Sequence, residues 1–374
     1  MTAKLSSGLY IGLMSGTSID GIDAALVQID QQAIKLVHHY QHAYQPALKE
    51  QLIELCNSEQ YSIQRLGELN RTIGEVFAEA VLALLDTSTH QASDIVAIGS
   101  HGQTIFHHPN SEHAFSLQIG DPNTIAHRTQ ITTIADFRNK DMVVGGQGAP
   151  LVPRFHQHIV ANNDANRIII NIGGISNITV LGTPQNNACS GFDTGPGNTL
   201  LDAWIQKHLG KPYDHNGIWS ESGTVNQALL DQMMADPYFS AQAPKSTGRE
   251  YFNLKWLDQH LDHVPNISHE DVQRTLISLT AQTIYQGILS VGINDGEVYL
   301  CGGGCHNAAL VHEIARTFNG FSVDTTQTLG VDPDWMEAMA FAWFASRTLA
   351  SLPSNLPSAT GATKEVILGG IYYA

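Results

Sequence analysis

A pattern that occurs twice constrains the fold more than any other feature: an apolar strand, a turn of glycine and small polar residues, and a second apolar strand. Residues 9–29 contain the first copy, with the turn SGTSIDG between its strands. Residues 167–181 contain the second copy, with the turn GGISN. Adjacent strands joined by such a turn form a hairpin. The copies share a plan rather than a sequence, and each predicts one hairpin in its part of the chain.

Strand and helix patterns alternate along the rest of the chain. A weakly alternating strand is expected at residues 34–40, and further strands at residues 95–99 and 297–301. Helical patterns occur at residues 46–56, 63–85, 199–209, 271–289 and 307–317. A last helix, residues 333–349, is expected to have Asp332 as its N-cap and Pro333 at its first position. This alternation is typical of the α/β class.

A polar break, NNDAN at residues 162–166, separates the two hairpin-containing parts. We place the domain boundary there, which gives an N-terminal lobe of residues 1–163 and a C-terminal lobe of residues 164–374. The return of the last helix to the N-terminal lobe stays open. The 374 residues are enough for two domains of ordinary size.

Charge and composition exclude several classes of protein. The formal net charge is −16 and no Lys/Arg cluster offsets it, so a nucleic-acid partner and an anionic membrane are not expected. No apolar run is long enough to span a bilayer. With no secretory signal, the four cysteines are expected to be reduced thiols of a cytoplasmic protein. Any phosphate ligand must then be held mainly by backbone N–H groups and a metal ion.

The first hairpin turn lies in the segment GLMSGTSIDGID, residues 12–23. Gly16 and Gly21 allow a ligand to approach the backbone closely, and a turn of this kind can hold phosphate oxygens through its amides. Asp20 and Asp23 are candidate Mg²⁺ ligands, directly or through water. Ser, Thr, Asp and Gly also belong in an ordinary tight turn, so both interpretations stay open.

Two further glycine-rich segments follow buried strands. Residues 191–198 (GFDTGPGN) place Asp193 before a glycine turn and a predicted helix N-terminus, where it is suited to face a phosphate. The alternative is that Asp193 only bonds the backbone of the turn. Residues 299–307 (YLCGGGCHN) lead from a strand through three glycines, which suits a flat ring or a phosphate against the backbone. Packing and capping also recruit glycine, so this segment alone decides nothing.

Residues 101–153 are rich in polar residues and glycine but poor in charge, which suits recognition of a sugar and its substituents. Arg138 is a candidate clamp for a substrate carboxylate. The alternative is a long surface excursion of solvated polar residues. His156 and His158 just beyond it are expected at the surface.

Taken together and in this order, these segments resemble the anhydro-N-acetylmuramic acid kinase family over essentially the whole chain. The resemblance is carried by GLMSGTSIDGID (12–23), SHGQT (100–104), DFR (136–138), GGQGAPLVP (145–153), NIGGISN (171–177), GFDTGPGN (191–198), PKSTGREYFN (244–253), CGGG (301–304) and MEAMAFA (336–342). It implies the two-lobed ATPase fold shared with actin, hexokinase and the heat-shock chaperones. Each lobe there has a mixed five-stranded sheet with helices, and ATP lies in the cleft between the lobes.

The resemblance also implies the reaction and the site. The family converts 1,6-anhydro-N-acetylmuramic acid, ATP and water to N-acetylmuramic acid 6-phosphate and ADP in peptidoglycan recycling. The implied ATP-binding residues are Gly16, Thr17, Ser18, Ile19, Asp20, Gly21, Ile22, Asp23, Gly173, Gly174, Asn177, Gly302, Gly303 and Gly304. The implied sugar-binding residues are His101, Gln103, Arg138 and Gln147. Asp20 and Asp193 are the expected Mg²⁺ ligands.

Chemistry then selects the base. An inverting glycosidase needs a carboxylate base and a carboxylic acid, but here the leaving oxygen is captured by the γ-phosphoryl group. One carboxylate therefore suffices, and we assign it to Asp193, with Glu337 orienting the sugar by resemblance. An ordinary sugar kinase of the same superfamily, acting on a free hydroxyl, is the alternative. A chaperone-like ATPase is disfavoured because no residues remain for a peptide-binding domain. A homodimer is left open.

Overall fold

The strands form two sheets. The computed structural model describes residues 7–16, 19–31, 33–58, 60–162, 164–183 and 189–374. Its strands are β1 (Gly8–Ser15), β2 (Gly21–Ile29), β3 (Ile34–Ala43), β4 (Ile95–His108), β5 (Phe115–Ile119), β6 (Thr133–Ala135), β7 (Arg167–Ile172), β8 (Ile175–Leu181), β9 (Cys189–Pro196), β10 (Gly296–Cys301), β11 (Phe321–Thr325) and β12 (Gly370–Tyr372). Both predicted hairpins are therefore present, as β1–β2 and β7–β8.

Helices occupy most of the segments between the strands. They are α1 (Pro46–Asn57), α2 (Ile63–Asp86), α3 (Pro122–Thr129), α4 (Asn139–Val143), α5 (Pro153–Val160), α6 (Asn198–Leu209), α7 (Ile218–Glu221), α8 (Gln227–Met234), α9 (Pro237–Ser240), α10 (Leu254–Leu261), α11 (His269–Ser290), α12 (Ala308–Thr317), α13 (Met336–Leu349) and α14 (Pro357–Thr360). Over the described residues, none of these helices is long and apolar enough to cross a membrane.

The chain divides into two compact units, Met1–Ile159 with Trp335–Ala374 and Val160–Asp334. The sheet of the first unit has seven strands in the order β12-β6-β4-β1-β2-β3, with β5 paired to β4. Strand β1 is antiparallel to β2 and parallel to β4, and β6 is parallel to β4, so the sheet is mixed. Five strands were expected; the additional ones are β5, which returns antiparallel along the long β4, and the C-terminal strand β12.

The sheet of the second unit has five strands in the order β11-β10-β7-β8-β9. Its directions repeat those of β6-β4-β1-β2-β3: β7 is antiparallel to β8 and parallel to β10, and β10 is parallel to β11. The twofold pattern in the sequence thus reflects a repeated sheet topology. The predicted α/β class, with a mixed sheet in each part, is confirmed.

Apolar helix faces cover the sheets. In α2 the buried residues Leu69, Ile73, Phe77 and Val81 recur at intervals of four and pack in one core with Ile11 of β1. Burying side chains of this size contributes roughly 1.5–3 kcal/mol each. The second unit has its own core, in which the β-branched residues of β7 pack with α6 and α11.

The last long helix, α13, lies with its backbone directly against the first sheet. A Cβ atom at Gly12 would come within 1.8 Å of the Ala338 carbonyl oxygen, and one at Gly99 within 2.0 Å of the Phe341 carbonyl oxygen. Gly12 and Gly99 are register partners on the parallel strands β1 and β4. The two glycines therefore form a flat strip of sheet on which α13 rests.

Three boundary predictions differ from the structure. Strand β4, expected at residues 95–99, runs from Ile95 to His108. The first part of the first unit ends at Ile159 rather than at residue 163. The first unit also includes the whole C-terminal segment Trp335–Ala374, because α13 packs on β1, β2 and β4. Helix α13 begins at Met336, with Trp335 rather than Asp332 at the N-cap position. Asp332 instead accepts a hydrogen bond from the Asp334 N–H in the turn before the helix.

The expectation that His156 is a surface residue is wrong. It is 1 % exposed on α5, next to the buried Phe155. Burial lowers the pKa of His156 to about 3, so the imidazole is neutral. A histidine in a short polar-looking stretch gave no sign of this burial, because helix α5 packs through the neighbouring Phe155 on Trp343, which is distant in sequence.

Substitution by alanine should have opposite effects on stability at Gly12, which lies in the strip under α13, and at Gly67, which lies in α2. Gly12→Ala places a methyl group on a backbone carbonyl that cannot move alone, so α13 must shift, and we expect a loss of at least about 3 kcal/mol. Gly67→Ala in α2 meets no atom within 4 Å and should stabilise by roughly 0.5–1 kcal/mol. Denaturant unfolding of both variants measures this. An unfolding midpoint of Gly12→Ala equal to that of the wild type would contradict the packing.

Candidate active site

The turn between β1 and β2 is braced by buried polar groups. The Ser15 hydroxyl lies 2.7 Å from Gln103 Oε1, 3.0 Å from the Tyr44 hydroxyl and 2.8 Å from the Gly21 carbonyl oxygen. The Gln103 amide donates to the Gly16 carbonyl oxygen at 3.2 Å. Gln103 is fully buried. Its contacts here are with the hairpin, so it holds the turn in shape instead of presenting its amide at the surface.

The other residues predicted to bind ATP divide into buried and exposed groups. Ile19 and Ile22 are core residues, so only their backbone groups are available to a ligand. Ile19 has φ +56°, a left-handed conformation that is uncommon for a β-branched residue and marks a constrained turn. Asp23 accepts a hydrogen bond from the Gln41 amide at 3.2 Å. Thr17 and Ser18 lie outside the described residues.

Asp20 is at the exposed end of the turn. Its carboxylate accepts a hydrogen bond from the Lys49 ammonium at 2.6 Å, and the side chains of Asp20 and Lys49 are 64 % and 37 % exposed. Carboxylate oxygen is the donor that Mg²⁺ prefers, so the residue type fits the metal. Lys49 is the competing cation, and such an exposed ion pair contributes little stability.

His101 and Arg138 form a second cluster in the first unit. Arg138 Nε and Nη2 lie 3.1 and 2.8 Å from His101 Nε2, and Arg138 Nη1 donates to the Gly148 carbonyl oxygen at 2.7 Å. Burial and then the Arg138 charge lower the pKa of His101 well below its usual value, although hydrogen bonds to the backbone of Gly102 and Ser15 oppose this. His101 is therefore neutral, and its Nε2 accepts from the guanidinium.

The loop that contains Gln147 is fixed by one buried carboxylate. Asp141 is fully buried and accepts hydrogen bonds from the Gly148 N–H, Asn355 Nδ2 and the Thr360 hydroxyl at 2.8–2.9 Å. The Gln147 N–H donates to the Thr360 carbonyl oxygen at 2.8 Å. Residues 145–148 thus have one defined backbone shape beside Arg138, which is inconsistent with a solvated surface excursion.

Glu337 lies in the first turn of α13, partly exposed. One helical turn later, the Phe341 ring lies 4.8 Å from the His101 ring. Residues four apart share a helix face, so Glu337 is on the face of α13 that meets His101. In the first unit the structure thus brings His101, Arg138 and the loop of Gln147 together, with Glu337 on the adjoining helix.

In the second unit a β-bulge aims Asp193. Ser176 pairs with Gly195 and Asn177 pairs with Asp193, so Thr194 is the extra residue of β9. Bulges re-aim side chains at the ends of ladders and occur often beside active sites. Asn177, predicted to bind ATP, is therefore the cross-strand neighbour of the predicted base.

Residues of the segment 244–253 surround Asp193. Its Oδ2 accepts from the Thr247 N–H at 3.0 Å, its own N–H donates to the Lys245 carbonyl oxygen at 3.1 Å, and its carbonyl oxygen accepts from the Tyr238 hydroxyl at 2.7 Å. Burial lowers the pKa of Lys245, whereas the Asp193 charge raises it, so the two charges attract each other. The same charge, after burial, raises the pKa of Tyr238.

The two glycine turns of the second unit lie at the same end of the sheet. Carbonyl oxygens of Gly173 and Gly174 accept from the first N–H groups of α6, at 2.9–3.0 Å, so this helix N-terminus is capped by the hairpin. Gly302 has φ +79°, and a Cβ there would lie 2.2 Å from Asn171 Oδ1. At Gly303 a Cβ would meet nothing within 4 Å, so backbone is open to a ligand there.

Sequence reasoning missed several residues of these sites: Tyr44, Lys49, Tyr238, Lys245 and Thr247. The segment PKSTGREYFN was recognised as part of the resemblance, but no role was given to its lysine and threonine. Lys245 and Thr247 follow Asp193 by some fifty residues in the chain. No local sequence pattern shows that this later segment returns to contact Asp193. Lys49 lies in α1, two strands beyond Asp20 in the chain, and no local pattern links the two residues.

Glycine hairpin turns with carboxylates beside them, one in each unit, are typical of an α/β protein that holds phosphate through backbone N–H groups and a metal ion. The family model for anhydro-N-acetylmuramic acid kinase matches residues 8–374. The chain therefore belongs to the anhydro-N-acetylmuramic acid kinase family, as the motifs predicted.

Individual relatives agree over the full length. The chain is 50 % identical over 371 residues to the anhydro-N-acetylmuramic acid kinase of Shewanella pealeana, covering 99 % of this chain and 100 % of that protein. Its identity to the enzyme of that name from Photobacterium profundum is 50 % over 372 residues, with 98 % of each chain covered. A solved structure, the activator of 2-hydroxyisocaproyl-CoA dehydratase from Clostridium difficile with bound ADPNP, matches at 14 % identity and a TM-score of 0.45, covering 90 % of this chain and 94 % of the other.

Proposed function

We propose that the protein is an ATP-dependent kinase that opens the 1,6-anhydro bridge of 1,6-anhydro-N-acetylmuramic acid with water and phosphorylates the freed O6. The products are N-acetylmuramic acid 6-phosphate and ADP, and the role is peptidoglycan recycling. The observation that carries the proposal is 50 % identity over the whole length of relatives with this name. Because the donor is ATP, we place the reaction in the cytoplasm.

The turn between β1 and β2 is proposed to bind the phosphates of ATP. Gln103 and Ser15 hold its two ends, at Gly16 and Gly21 (Gln103 Nε2 to the Gly16 carbonyl oxygen, 3.2 Å), which supports the proposal because donors that are already in place need little reorganisation when phosphate binds. Gly173, Gly174, Asn177 and residues 302–304 are the proposed nucleotide contacts of the second unit. Asp20 and Asp193 are the proposed carboxylates for Mg²⁺, which when bound neutralises phosphate charge.

Asp193 is proposed as the base that accepts the proton of the attacking water. Water bonds to the anomeric carbon, the bond from that carbon to O6 breaks, and O6 takes the γ-phosphoryl group of ATP. The Thr247 N–H fixes one carboxylate oxygen, and the attraction of Lys245 stabilises the charged form. A positioned base typically contributes about 10²- to 10⁴-fold in rate.

Arg138 is proposed to bind the lactyl carboxylate of the sugar, with His101 and Gln147 beside it and Glu337 orienting the ring. Support comes from the neutral His101, which accepts from the guanidinium at 2.8 Å and so fixes its plane without adding charge. A planar guanidinium in a fixed orientation suits bidentate binding of a carboxylate.

The activity itself is tested with two substrates. We expect ADP formation from ATP with the anhydro sugar, and in ¹⁸O-labelled water the product analysed at early times should carry the label at the anomeric carbon and none in the phosphate. Free N-acetylmuramic acid is the control substrate. Turnover of the free sugar alone would make the protein an ordinary sugar kinase and overturn the proposal.

Arg138→Ala should raise the KM for the anhydro sugar by one to two decades, because a charged hydrogen bond contributes roughly 1.5–3 kcal/mol. Arg138→Lys keeps the charge but not the two parallel N–H donors of the guanidinium group, so its KM for the anhydro sugar should lie between those of the wild type and Arg138→Ala. The KM for ATP is the control for a general disturbance of the Gly148 loop. An equal loss with a sugar that lacks the lactyl group would show that Arg138 does not bind this carboxylate.

Asp193→Asn should lower kcat by at least about 10²-fold while both substrates still bind. Asparagine keeps the shape and can still accept from the Thr247 N–H, but it removes the negative charge and with it both the proton acceptor and the proposed anionic Mg²⁺ ligand. Ring opening and phosphorylation should fail together, because the phosphoryl group captures the oxygen that water attack releases. Phosphorylation of a free 6-hydroxyl that persists in this variant would support the assignment to water activation.

Asp258→Asn is the matched control, since Asp258 carries the same carboxylate in a surface ion pair with Lys207. Its turnover should equal that of the wild type. Near-normal turnover of the anhydro sugar by Asp193→Asn would exclude Asp193 as the base, and Glu337 would be tested next.

A further inference from the structure

A cavity of about 250 Å³ in the first unit is lined by two arginines and has no part in the sites described above. Helix α5 contributes Arg154, Gln157 and His158, and α13 contributes Trp343 and Arg347. This volume is below the roughly 300–1,000 Å³ of a drug-sized ligand pocket. The cavity therefore suits a small group.

The cations that line this cavity repel each other. Burial lowers the pKa of Arg347, the charge of Arg154 lowers it further, and only the charge of Glu365 raises it. Arg154 is 3.1 Å from Glu365, so one carboxylate faces two guanidinium groups. The chain has only 19 Lys and Arg residues against 35 Asp and Glu residues. Two arginines in one small cavity are therefore a local concentration of basic residues.

The remaining lining groups add hydrogen-bonding capacity without charge. Burial, followed by the charges of Arg347 and Arg154, lowers the pKa of His158, so this imidazole is neutral. Arg154 Nη1 is held by Gln157 Oε1 at 2.9 Å, and Arg347 Nε donates to the Pro353 carbonyl oxygen at 3.1 Å. Arg154 is thus oriented by Gln157 together with Glu365, and Arg347 by the Pro353 carbonyl oxygen.

The indole of Trp343 gives an independent sign that an acceptor is missing. The residue is 1 % exposed, and its N–H has no hydrogen-bond partner among the described residues. A buried donor without an acceptor costs about 1–3 kcal/mol. Trp343 also lines the cavity, so this unsatisfied donor belongs to a residue of the cavity wall.

We propose that Arg154, Arg347 and Trp343 form a binding site for a small oxyanion, a phosphate or carboxylate group. A guanidinium fork matches the oxygen spacing of both groups, and the indole N–H supplies a further donor. The bound anion offsets the repulsion between the two arginines and ties α5 to α13. The site is independent of the proposed activity, because none of its residues belongs to the proposed ATP or sugar sites.

Calorimetric titration with inorganic phosphate tests the site, at constant ionic strength and with a saturating non-hydrolysable ATP analogue to occupy the proposed nucleotide phosphate site. Acetate titrated in the same way distinguishes a carboxylate ligand from a phosphate ligand. Arg154→Gln should weaken the tighter anion at least about tenfold, in line with the loss of a charged hydrogen bond. Arg65→Gln, at an exposed arginine that faces Glu54 at 3.7 Å, is the matched control and should bind like the wild type.

Trp343→Phe replaces the buried indole by a smaller phenyl ring, so it removes the N–H together with the rest of the pyrrole ring, and thermal unfolding first checks that the variant is folded. The folded variant should bind the anion several-fold more weakly. This variant keeps the test decisive if Arg154→Gln is unstable. Absence of binding of both anions to the wild type, or equal binding by the wild type, Arg154→Gln and Trp343→Phe, would overturn the proposal.

Discussion

The contact between the backbone of α13 and the first sheet is the constraint on which the rest of the first unit depends. Two glycines that are neighbours on parallel strands, Gly12 and Gly99, remove the only atoms that would keep the helix away. The close approach explains why residues 335–374 belong to the first unit although the second unit precedes them in the chain. It also places Phe341 against His101, and Glu337 one turn away on the same face. The contact between α13 and the sheet therefore both completes the core of the first unit and positions residues of the candidate site.

Buried polar groups then fix the loops of the candidate site. Gln103 accepts a hydrogen bond from the Ser15 hydroxyl at the start of the β1–β2 turn, and Asp141 accepts one from the Gly148 N–H in the loop of residues 145–148. Buried polar groups are costly unless they are hydrogen-bonded, so each network allows one loop conformation at low cost. A polar block that looks solvated in the sequence is for this reason among the most rigidly held parts of the first unit.

Cations are few in this acidic chain, and several of those present are at least half-buried. Arg138, Lys245 and Arg347 each donate to carbonyl oxygens, which orient their charged groups. Charges of this kind interact strongly with anions because little solvent screens them. The acidic surface repels polyanions in general, whereas these positions are suited to small anions.

The sequence alone determined the α/β class, the two hairpins, the approximate bounds of the long helices and the family, because these depend on local periodicity, turn chemistry and ordered motifs. It also selected Asp193 and Arg138 as the residues to test, since a lone acid or cation among glycines is visible in one dimension. Only the tertiary structure decided that Gln103 lies beneath a turn, that His156 is buried, that Lys245 and Thr247 surround Asp193 and that α5 and α13 enclose an arginine-lined cavity. Each of these depends on contacts between segments that are far apart in the chain. Which side chains such contacts bury, and which become hydrogen-bond partners, is not indicated by any local sequence pattern.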